Sequence, residues 1–384
     1  MGIYLDNSAT TRVYPEAAAI MNKVMTEDYG NPSSMHHMGV AAEKYIREAT
    51  SSICRTLKAR ESEIVYTSGG TESDNLAILG TARSMERRGR HLVTTAIEHP
   101  AVFNTMEYLK SEGFEITYLP VDRYGLVSVE DVRKAVRPDT ILVSVMCVNN
   151  EIGSRQPVEA IGAMLKAEYP HVLFHVDAVQ GYGKYVLYPS RSGIDLLAFS
   201  GHKIHGPKGV GVLYIRDKVR ILPVIFGGEQ QKGIRSGTEN VPGIAGIGYA
   251  ASRICGELAE NTERMYTLKE FFIQELQKMD DVAVHGRTGR DSAPHIISAG
   301  FGGVRSEVLL HALEERGIYV SSGSACASNH PGISSTLKSI GVSGRYIEST
   351  IRFSLSEFTT KEELEYTAAV LKELVPELRR FRSC

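Results

Sequence analysis

Residues 64–75, with the sequence IVYTSGGTESDN, begin the pattern that decides the fold. A β-branched apolar run leads into a pair of glycines, and residues 76–87 then have the spacing of an amphipathic helix. Similar strand-like runs recur at residues 92–96, 116–121, 141–148, 172–176, 196–199 and 210–215. Because strands that alternate with helices form parallel sheets covered on both faces, the pattern predicts an α/β fold with a mainly parallel central sheet.

The last third of the chain has a different pattern. A long helical run precedes three short strand-like runs, at residues 266–279, 295–298, 320–321 and 351–354. A final amphipathic helix begins at a capping box formed by Thr360 and Glu363. We therefore expect a large domain at residues 16–255 and a smaller α+β domain that combines residues 1–15 with residues 256–384.

The composition excludes several functional classes. With 43 basic and 45 acidic side chains the net charge is −2, which argues against a nucleic-acid binder, since such proteins need a basic face. The longest apolar run, residues 141–148, is far shorter than the ~20 residues of a membrane helix. Five widely spaced cysteines without a C-x-x-C pair fit neither a disulfide framework nor a zinc site. With no secretory signal at its start, we expect a cytoplasmic protein without nucleic-acid, membrane or metal partners.

Cys326 differs from the other cysteines in its surroundings. Residues 321–329, SSGSACASN, are small and polar, whereas Cys54, Cys147 and Cys255 have apolar neighbours typical of buried cysteines. The polar sequence predicts an exposed loop, and an exposed thiol is open to reaction. Cys326 is therefore a candidate functional residue.

Polar residues follow several of the predicted strands, where open parallel sheets bind their ligands. A glycine pair after the first strand opens a helix, which suits either a phosphate at the helix N-terminus or an ordinary turn. His99 follows the strand at residues 92–96 and fits either a ligand contact or a structural hydrogen bond. Asn150 follows the strand at residues 141–148, and its amide suits a carboxylate or a phenolic oxygen. Asp177 is either a helix cap or a buried carboxylate that needs a cationic partner.

Residues 198–209, AFSGHKIHGPKG, carry the densest signal. Lys203 ends an apolar strand among serine, histidine and glycine residues, and partial burial of its amine would lower its pKa and suit it to Schiff-base chemistry. A lysine, an aspartate for a pyridinium nitrogen and a glycine turn for a phosphate are the protein's parts of a pyridoxal-phosphate site. Their order on successive strand ends makes the combination specific although each motif alone is not.

The whole chain resembles the cysteine desulfurases of the iron–sulfur-assembly and nitrogen-fixation type, which are class V aminotransferase-like enzymes of fold-type I. The motifs that carry the resemblance are residues 4–11 (YLDNSATT), 31–36 (NPSSMH), 67–72 (TSGGTE), 98–99 (EH), 148–153 (VNNEIG), 175–178 (HVDA), 200–203 (SGHK), 235–238 (RSGT), 322–326 (SGSAC) and 351–355 (IRFSL). The resemblance implies removal of sulfur from L-cysteine with pyridoxal 5′-phosphate (PLP) as the cofactor, giving L-alanine.

The resemblance also implies roles for the matching residues that bind the cofactor. Lys203 would form the internal aldimine and move protons at the substrate Cα, and Asp177 would pair with the pyridinium nitrogen. Gln180 would hydrogen-bond the phenolic oxygen of the ring, and His99 would stack on the ring and assist proton transfer. The residues implied to hold the phosphate are Gly70, Thr71, Ser200 and His202, with Thr238 from the other subunit of a homodimer.

The same resemblance assigns the substrate and the sulfur chemistry. Arg352 and Asn150 would bind the carboxylate of cysteine, because an arginine fork suits that planar anion. Cys326 would attack the substrate sulfur and carry it as a persulfide to an acceptor protein, such as an iron–sulfur scaffold. The sequence ends at Cys384 without the C-terminal extension with which housekeeping members dock their scaffold, so we expect that another acceptor is equally compatible.

Other activities remain open at this level. The same scaffold supports transamination, C–S β-elimination and selenocysteine cleavage. The first two do not need Cys326, whereas the third could use the same residues as desulfuration. A catalytically inactive assembly partner is a further alternative, which the intact set of Lys203, Asp177, His99 and Cys326 disfavours.

Overall fold

The structure, a computed structural model, describes residues 2–322 and 334–381, so Cys326 lies outside the described residues. In chain order the strands are β1 (Ile3–Tyr4), β2 (Ile64–Thr67), β3 (His91–Thr95), β4 (Glu115–Leu119), β5 (Thr140–Ser144), β6 (Leu173–Asp177), β7 (Leu196–Ser200), β8 (Gly211–Ile215), β9 (Val282–His285), β10 (Ile296–Phe301), β11 (Ile318–Tyr319), β12 (Ser321–Ser322) and β13 (Thr350–Ser354). The helices are α1 (Pro15–Thr26), α2 (His37–Leu57), α3 (Gly70–Met85), α4 (Pro100–Ser111), α5 (Val129–Ala135), α6 (Val158–Glu168), α7 (Val241–Gly256), α8 (Leu258–Gln277), α9 (Ser306–Glu315), α10 (Ser335–Ser339), α11 (Gly344–Ile347) and α12 (Lys361–Phe381).

The central sheet has seven strands in the order β2-β8-β7-β6-β5-β3-β4. Only β8 runs antiparallel to its neighbours, so the predicted mainly parallel α/β sheet is confirmed. Separate apolar clusters cover the two faces of the sheet. The chain order reverses between β3 and β5, and a ligand crevice is expected outside the carboxyl ends of strands at such a switch point.

The strand predicted at residues 141–148 ends four residues early, at Ser144. Beyond it the chain still bonds to β6, because the backbone N–H of Cys147 donates to the carbonyl of Asp177 at 2.7 Å. On the other side β3 has already ended, and the N–H of Met146 donates to the carboxylate of Glu98 at 3.0 Å instead. The sheet therefore opens here, and Met146 becomes part of a cavity wall.

A second sheet has the order β12-β13-β10-β9 and is antiparallel throughout. Helices α8, α9 and α12 pack their apolar residues with it in one core. The predicted capping box of α12 is confirmed: the N–H of Thr360 donates to the Glu363 carboxylate at 2.9 Å, and the Thr360 hydroxyl accepts from the Glu363 N–H at 3.2 Å. The residue boundaries of the two domains stay a prediction.

The N-terminal segment connects the two sheets. β1 pairs with β11, and the chain then passes β13, where the N–H of Ser8 donates to the Ser354 hydroxyl at 2.8 Å. It continues to the turn after β7, where the N–H of Thr11 donates to the carbonyl of His202 at 2.9 Å. None of the described helices is long and apolar enough to cross a membrane.

Phe353 tests the packing of the smaller core. Its ring is fully buried on β13 and lies edge-on to Phe272, with the ring centroids 5.1 Å apart. We expect Phe353→Ala to lower the free energy of unfolding by about 3–5 kcal/mol, because the cavity it leaves cannot collapse fully. Urea unfolding measures the loss. The half-exposed Phe103 serves as the control, and an equal loss in Phe103→Ala would contradict the assignment of this core.

Candidate active site

A cavity of about 300 Å³ lies at the carboxyl ends of the central strands. It brings together most of the residues that the sequence singles out: Gly70, Thr71, His99, Asn150, Asp177, Gln180, Ser200, His202, Lys203 and Arg352 all line it. Thr238 is exposed on the surface and does not line this cavity. Within the described residues, no group of three or more His, Cys, Asp and Glu side chains is placed to hold a metal ion.

The amine of Lys203 is held by the N-terminal segment. Lys203 ends a short 3₁₀ turn after β7, and its Nζ donates to the backbone carbonyls of Ser8 and Ala9, the latter at 2.8 Å. The turn depends on Gly201, since a Cβ at that position would lie 2.7 Å from the carbonyl oxygen of Pro207. The sequence therefore places a lysine amine inside the cavity at a fixed position.

Asp177 is a buried carboxylate at the end of β6, which resolves one of the alternatives left open by the sequence. Its Oδ1 accepts from the N–H of Val179 at 2.9 Å. Burial raises the pKa of Asp177, and the nearby His99 and Lys203 side chains oppose that shift. The carboxylate therefore depends on positive charge in the cavity to remain ionised.

Two further buried acids flank Asp177, and sequence reasoning missed both. Burial raises the pKa of Glu98 to about 8, although its Oε1 accepts from the Thr95 hydroxyl at 2.7 Å. Burial and the charges of Asp177 and Glu98 raise the pKa of Asp74 well above its ordinary value. Glu98 therefore retains its proton near neutral pH. The available signal was the position of Asp74 on the buried face of α3.

His99 serves both as a structural cap and as a cavity residue. It is the N-cap of α4, and its Nδ1 accepts from the N–H of Ala101 at 3.1 Å. Burial and the charge of Lys203 lower the pKa of His99, while Asp177 opposes that shift. Because Nδ1 accepts the hydrogen bond from Ala101, the ring proton lies on Nε2.

The N-terminus of α3 forms one end of the cavity and suits an anion. Its N-cap, Gly69, has φ +155° and no side chain to cap the first turn. A Cβ at Gly70 would lie 2.6 Å from Val179 Cγ2, so a larger residue there would require the valine side chain to move. Ser200 and His202 line the same cavity. Unsatisfied helix N–H groups and nearby side-chain donors are the features of a phosphate site.

Arg352 approaches the cavity from β13 and is almost fully buried. Its Nη1 donates to the backbone carbonyl of Asn150 at 2.8 Å, and its Nη2 pairs with the Asp6 carboxylate at 3.1 Å. The contact with Asn150 thus uses its backbone, and Asn150 is also one of the residues that line the cavity. Asp6, to which the sequence assigns no role, fixes the orientation of the guanidinium.

Comparisons with known proteins agree with this geometry. Residues 3–367 match the family model described as aminotransferase class-V. The chain is 43% identical over 379 residues to the cysteine desulfurase IscS of Dictyoglomus turgidum, covering 98% of this chain and 95% of that protein. The solved structure of a NifS-like protein superposes with a TM-score of 0.93 at 39% identity and covers 98% and 100% of the two chains. A structure of SspA in complex with cysteine has a TM-score of 0.82 at 34% identity and covers 93% and 100%.

The protonated state of Glu98 gives a test. The pKa of Glu98 is about 8 in the fold against an ordinary 4.5, so the folded protein binds one more proton than the unfolded chain between these values. Its contribution to the free energy of unfolding therefore falls by about 1 kcal/mol per pH unit as the pH rises through this window. Glu98→Gln, which is neutral at every pH, should gain about 2–3 kcal/mol relative to the wild type between pH 5.5 and 7.5.

Urea unfolding of both proteins at the two pH values measures this difference, in which the other titrating groups cancel. Glu112→Gln, at an exposed position, is the control and should show no such change. A stability difference between Glu98→Gln and the wild type that stays constant from pH 5.5 to 7.5 would mean that Glu98 is ionised in the fold.

Proposed function

Because the chain belongs to the aminotransferase class-V family, as one of its cysteine desulfurases, we propose that its cavity binds PLP and L-cysteine and that Cys326 takes up the sulfur as a persulfide. One observation carries the proposal. A lysine amine, a buried carboxylate and an uncapped helix N-terminus meet in one cavity of about 300 Å³. The carbon product is L-alanine.

The residues fit PLP at each of its polar groups. Among the described residues a neutral backbone N–H, that of Val179, donates to the Asp177 carboxylate, and a protonated ring nitrogen would add a cationic donor. The uncapped first turn of α3, with Gly70 and Thr71, would bind the phosphate together with Ser200 and His202. Gln180 lines the cavity and would donate to the phenolic oxygen of the ring.

When bound, PLP supplies an electron-withdrawing ring that stabilises negative charge at the substrate Cα and makes the Cβ–S bond breakable. Lys203 holds the cofactor and then moves protons at the substrate Cα, and the carbonyls of Ser8 and Ala9 keep its amine inside the cavity. His99, with its ring proton on Nε2, would stack on the ring and could donate that proton within the cavity.

Arg352 binds the carboxylate of L-cysteine. The Asp6 carboxylate and the Asn150 carbonyl hold the guanidinium in place, so little side-chain freedom is lost when the substrate binds. The Asn150 side chain lines the same wall of the cavity and donates its amide to the substrate carboxylate. The substrate is thereby fixed at its carboxyl end, with its sulfur left for a nucleophile.

The role of Cys326 is supported by the described residues on either side of its segment. Ser321 pairs with Arg352 across the small sheet, and a chain extends at most about 14 Å over the four residues from Ser322 to Cys326. On the other side the Ser334 hydroxyl donates to the carboxylate of Glu151. Both flanks of residues 323–333 are thus fixed beside the residues that bind the substrate.

The sulfur-transfer step balances without an added reagent. The thiolate of Cys326 attacks the substrate sulfur and forms an S–S bond. The Cβ–S bond breaks, its electron pair passes to the carbon fragment, and protonation of that fragment gives alanine. Cys326 then carries a persulfide, and an acceptor protein takes its terminal sulfur by thiol attack.

The proposal extends to the assembly and its surroundings. Thr238 is exposed and absent from the cavity of its own chain, which fits a homodimer in which it completes the phosphate site of a second copy. The acceptor is a thiol-bearing protein, for example an iron–sulfur scaffold. A free thiol nucleophile persists in a reducing compartment, so we include the cytoplasm as the location.

Lys203→Ala tests the attachment of the cofactor. We expect the variant to lack the visible absorbance band of lysine-bound PLP and to lose more than a thousandfold in kcat, because no other lysine among the described residues lines the cavity. Absorbance spectroscopy after incubation with PLP and gel filtration measures the first effect. Lys208→Ala, at an exposed position, is the control. Normal turnover by Lys203→Ala would refute the assignment.

Product analysis tests desulfuration itself. Wild-type protein with L-cysteine and excess reductant should release alanine in step with sulfide, and Cys326→Ala should keep the absorbance band but release no sulfide. Cys255→Ala, which removes a partly buried thiol, should behave as the wild type. Pyruvate and ammonia as products would instead establish β-elimination. Activity restricted to selenocysteine would establish a selenocysteine lyase.

A further inference from the structure

The side-chain amide of Gln180 lies between two groups that fix its orientation, that is, the positions of its nitrogen and its oxygen. Its nitrogen lies 2.9 Å from the backbone carbonyl of Ser8, and its oxygen lies 3.1 Å from Nε2 of His295. A backbone carbonyl can only accept a hydrogen bond, so the amide nitrogen must face Ser8. The amide oxygen therefore faces His295, whose Nε2 must carry the proton.

His295 is buried directly before β10 and reaches the central domain from the smaller sheet. Its backbone carbonyl accepts from the N–H of Leu355 at 2.8 Å, which anchors it to the strand region of β13. The charged groups that influence it are all cations, and they belong to different elements: Lys184, Lys203, Lys269 and Arg352. Together with burial they lower the pKa of His295 far below its ordinary value, so the ring is neutral.

A neutral imidazole has one N–H group, and its surroundings decide which nitrogen carries it. Nδ1 of His295 is buried and has no hydrogen-bond partner among the described residues. Nε2 faces the Gln180 oxygen. A proton on Nδ1 would leave two lone pairs facing each other at 3.1 Å, so the Nε2–H form is the stable one.

We propose that His295 is a positioning residue that holds the amide of Gln180 with its nitrogen toward the cavity. One amide hydrogen goes to Ser8, and the other serves an acceptor in the cavity that Gln180 lines. This inference rests on the proposed function, from which we identify that acceptor as the phenolic oxygen of PLP. With the amide reversed, a carbonyl oxygen would face that oxygen and repel it.

The network also joins Gln180 to the reactive amine. The Ser8 carbonyl accepts from both Gln180 Nε2 and Lys203 Nζ. A flipped Gln180 amide would place its oxygen against the Ser8 carbonyl, displace that segment and disturb the lysine. His295 therefore acts on the cofactor through Gln180 and does not itself line the cavity.

The pH midpoint of the visible absorbance band of the PLP-loaded enzyme tests this inference. An N–H donor to the phenolic oxygen lowers its affinity for protons, so loss of the donor raises the midpoint. We expect His295→Leu to raise it by about one pH unit. His295→Gln keeps an N–H donor and should restore the wild-type midpoint. His285→Leu removes another buried histidine of the same sheet, one that contacts Thr350 and does not line the cavity, and should leave the midpoint unchanged.

A double variant distinguishes whether His295 acts through Gln180 or independently of it. Gln180→Leu should raise the midpoint as His295→Leu does, and the double variant should show no further rise, because both changes remove the same donor. A midpoint that moves in Gln180→Leu but not in His295→Leu would overturn the inference and leave the proposed function intact. Additive shifts would also overturn it. A wild-type protein that forms no visible band with PLP would instead overturn the proposed function.

A measurement on the wild-type holoenzyme avoids the risk that a variant fails to fold. Selective ¹⁵N labelling of histidine reports which ring nitrogen carries the proton. We expect His295 to be neutral with the proton on Nε2 from pH 6 to pH 8. A charged ring in this range, or a proton on Nδ1, would contradict the assigned hydrogen bond and the inference with it.

Discussion

The buried carboxylate of Asp177 is the constraint on which the rest of the site depends. An ionised carboxylate out of water is costly unless cations and N–H donors surround it. One backbone N–H from Val179 satisfies part of this need, and Lys203 and His99 oppose the remaining rise in its pKa. Burial raises the pKa of both neighbouring acids, Asp74 and Glu98, and that of Glu98 reaches about 8. A protonated pyridine nitrogen would complete the charge balance, which is a physical argument for the proposed binding of PLP in this cavity.

The N-terminal segment holds the two sheets in a fixed position relative to each other at the cavity. Ser8 bonds to Ser354 on the small sheet through its N–H and to Lys203 and Gln180 through its carbonyl. Arg352, on the strand that carries Ser354, is thereby fixed relative to the lysine. The residues proposed to bind the substrate and those proposed to bind the cofactor come from different sheets, and this short segment contacts both.

The sequence predicts well what depends on local order along the chain. Three of the candidate residues lie at or just after the carboxyl end of a strand: Lys203, Asp177 and His99. Parallel strands bring these ends to the same edge of the sheet, whatever the conformation of the connecting loops. The family resemblance adds Arg352, which lies in a separate sheet. The early end of β5 was not predictable from hydrophobicity, because residues 145–148 are as apolar and as buried as a strand. Where a neighbouring strand would otherwise pair, the N–H of Met146 donates to the carboxylate of Glu98, which lies 48 positions away in the sequence.

The positioning residues lay outside the reach of sequence patterns for the same reason. His295 and Gln180 are 115 positions apart, and Asp6 and Arg352 are 346 apart. A histidine before a strand and an aspartate near a chain start have no local signature, because their roles exist only once the two sheets have met. A contact of this kind is found by asking where each buried donor and acceptor is satisfied.

The separation of tasks along the chain has a mechanistic consequence. The residues proposed to hold cofactor and substrate belong to a network of contacts in which Ser8 restrains Lys203 and Asp6 restrains Arg352. Sulfur acceptance is proposed for Cys326. The nearby Cys147 is not a suitable alternative nucleophile, because it is buried in the apolar core. Burial raises the pKa of Cys147 to about 12, so it forms no thiolate near neutral pH. Binding and electron withdrawal can therefore persist when the sulfur acceptor is removed, and that independence distinguishes a desulfurase from an enzyme that only eliminates sulfide.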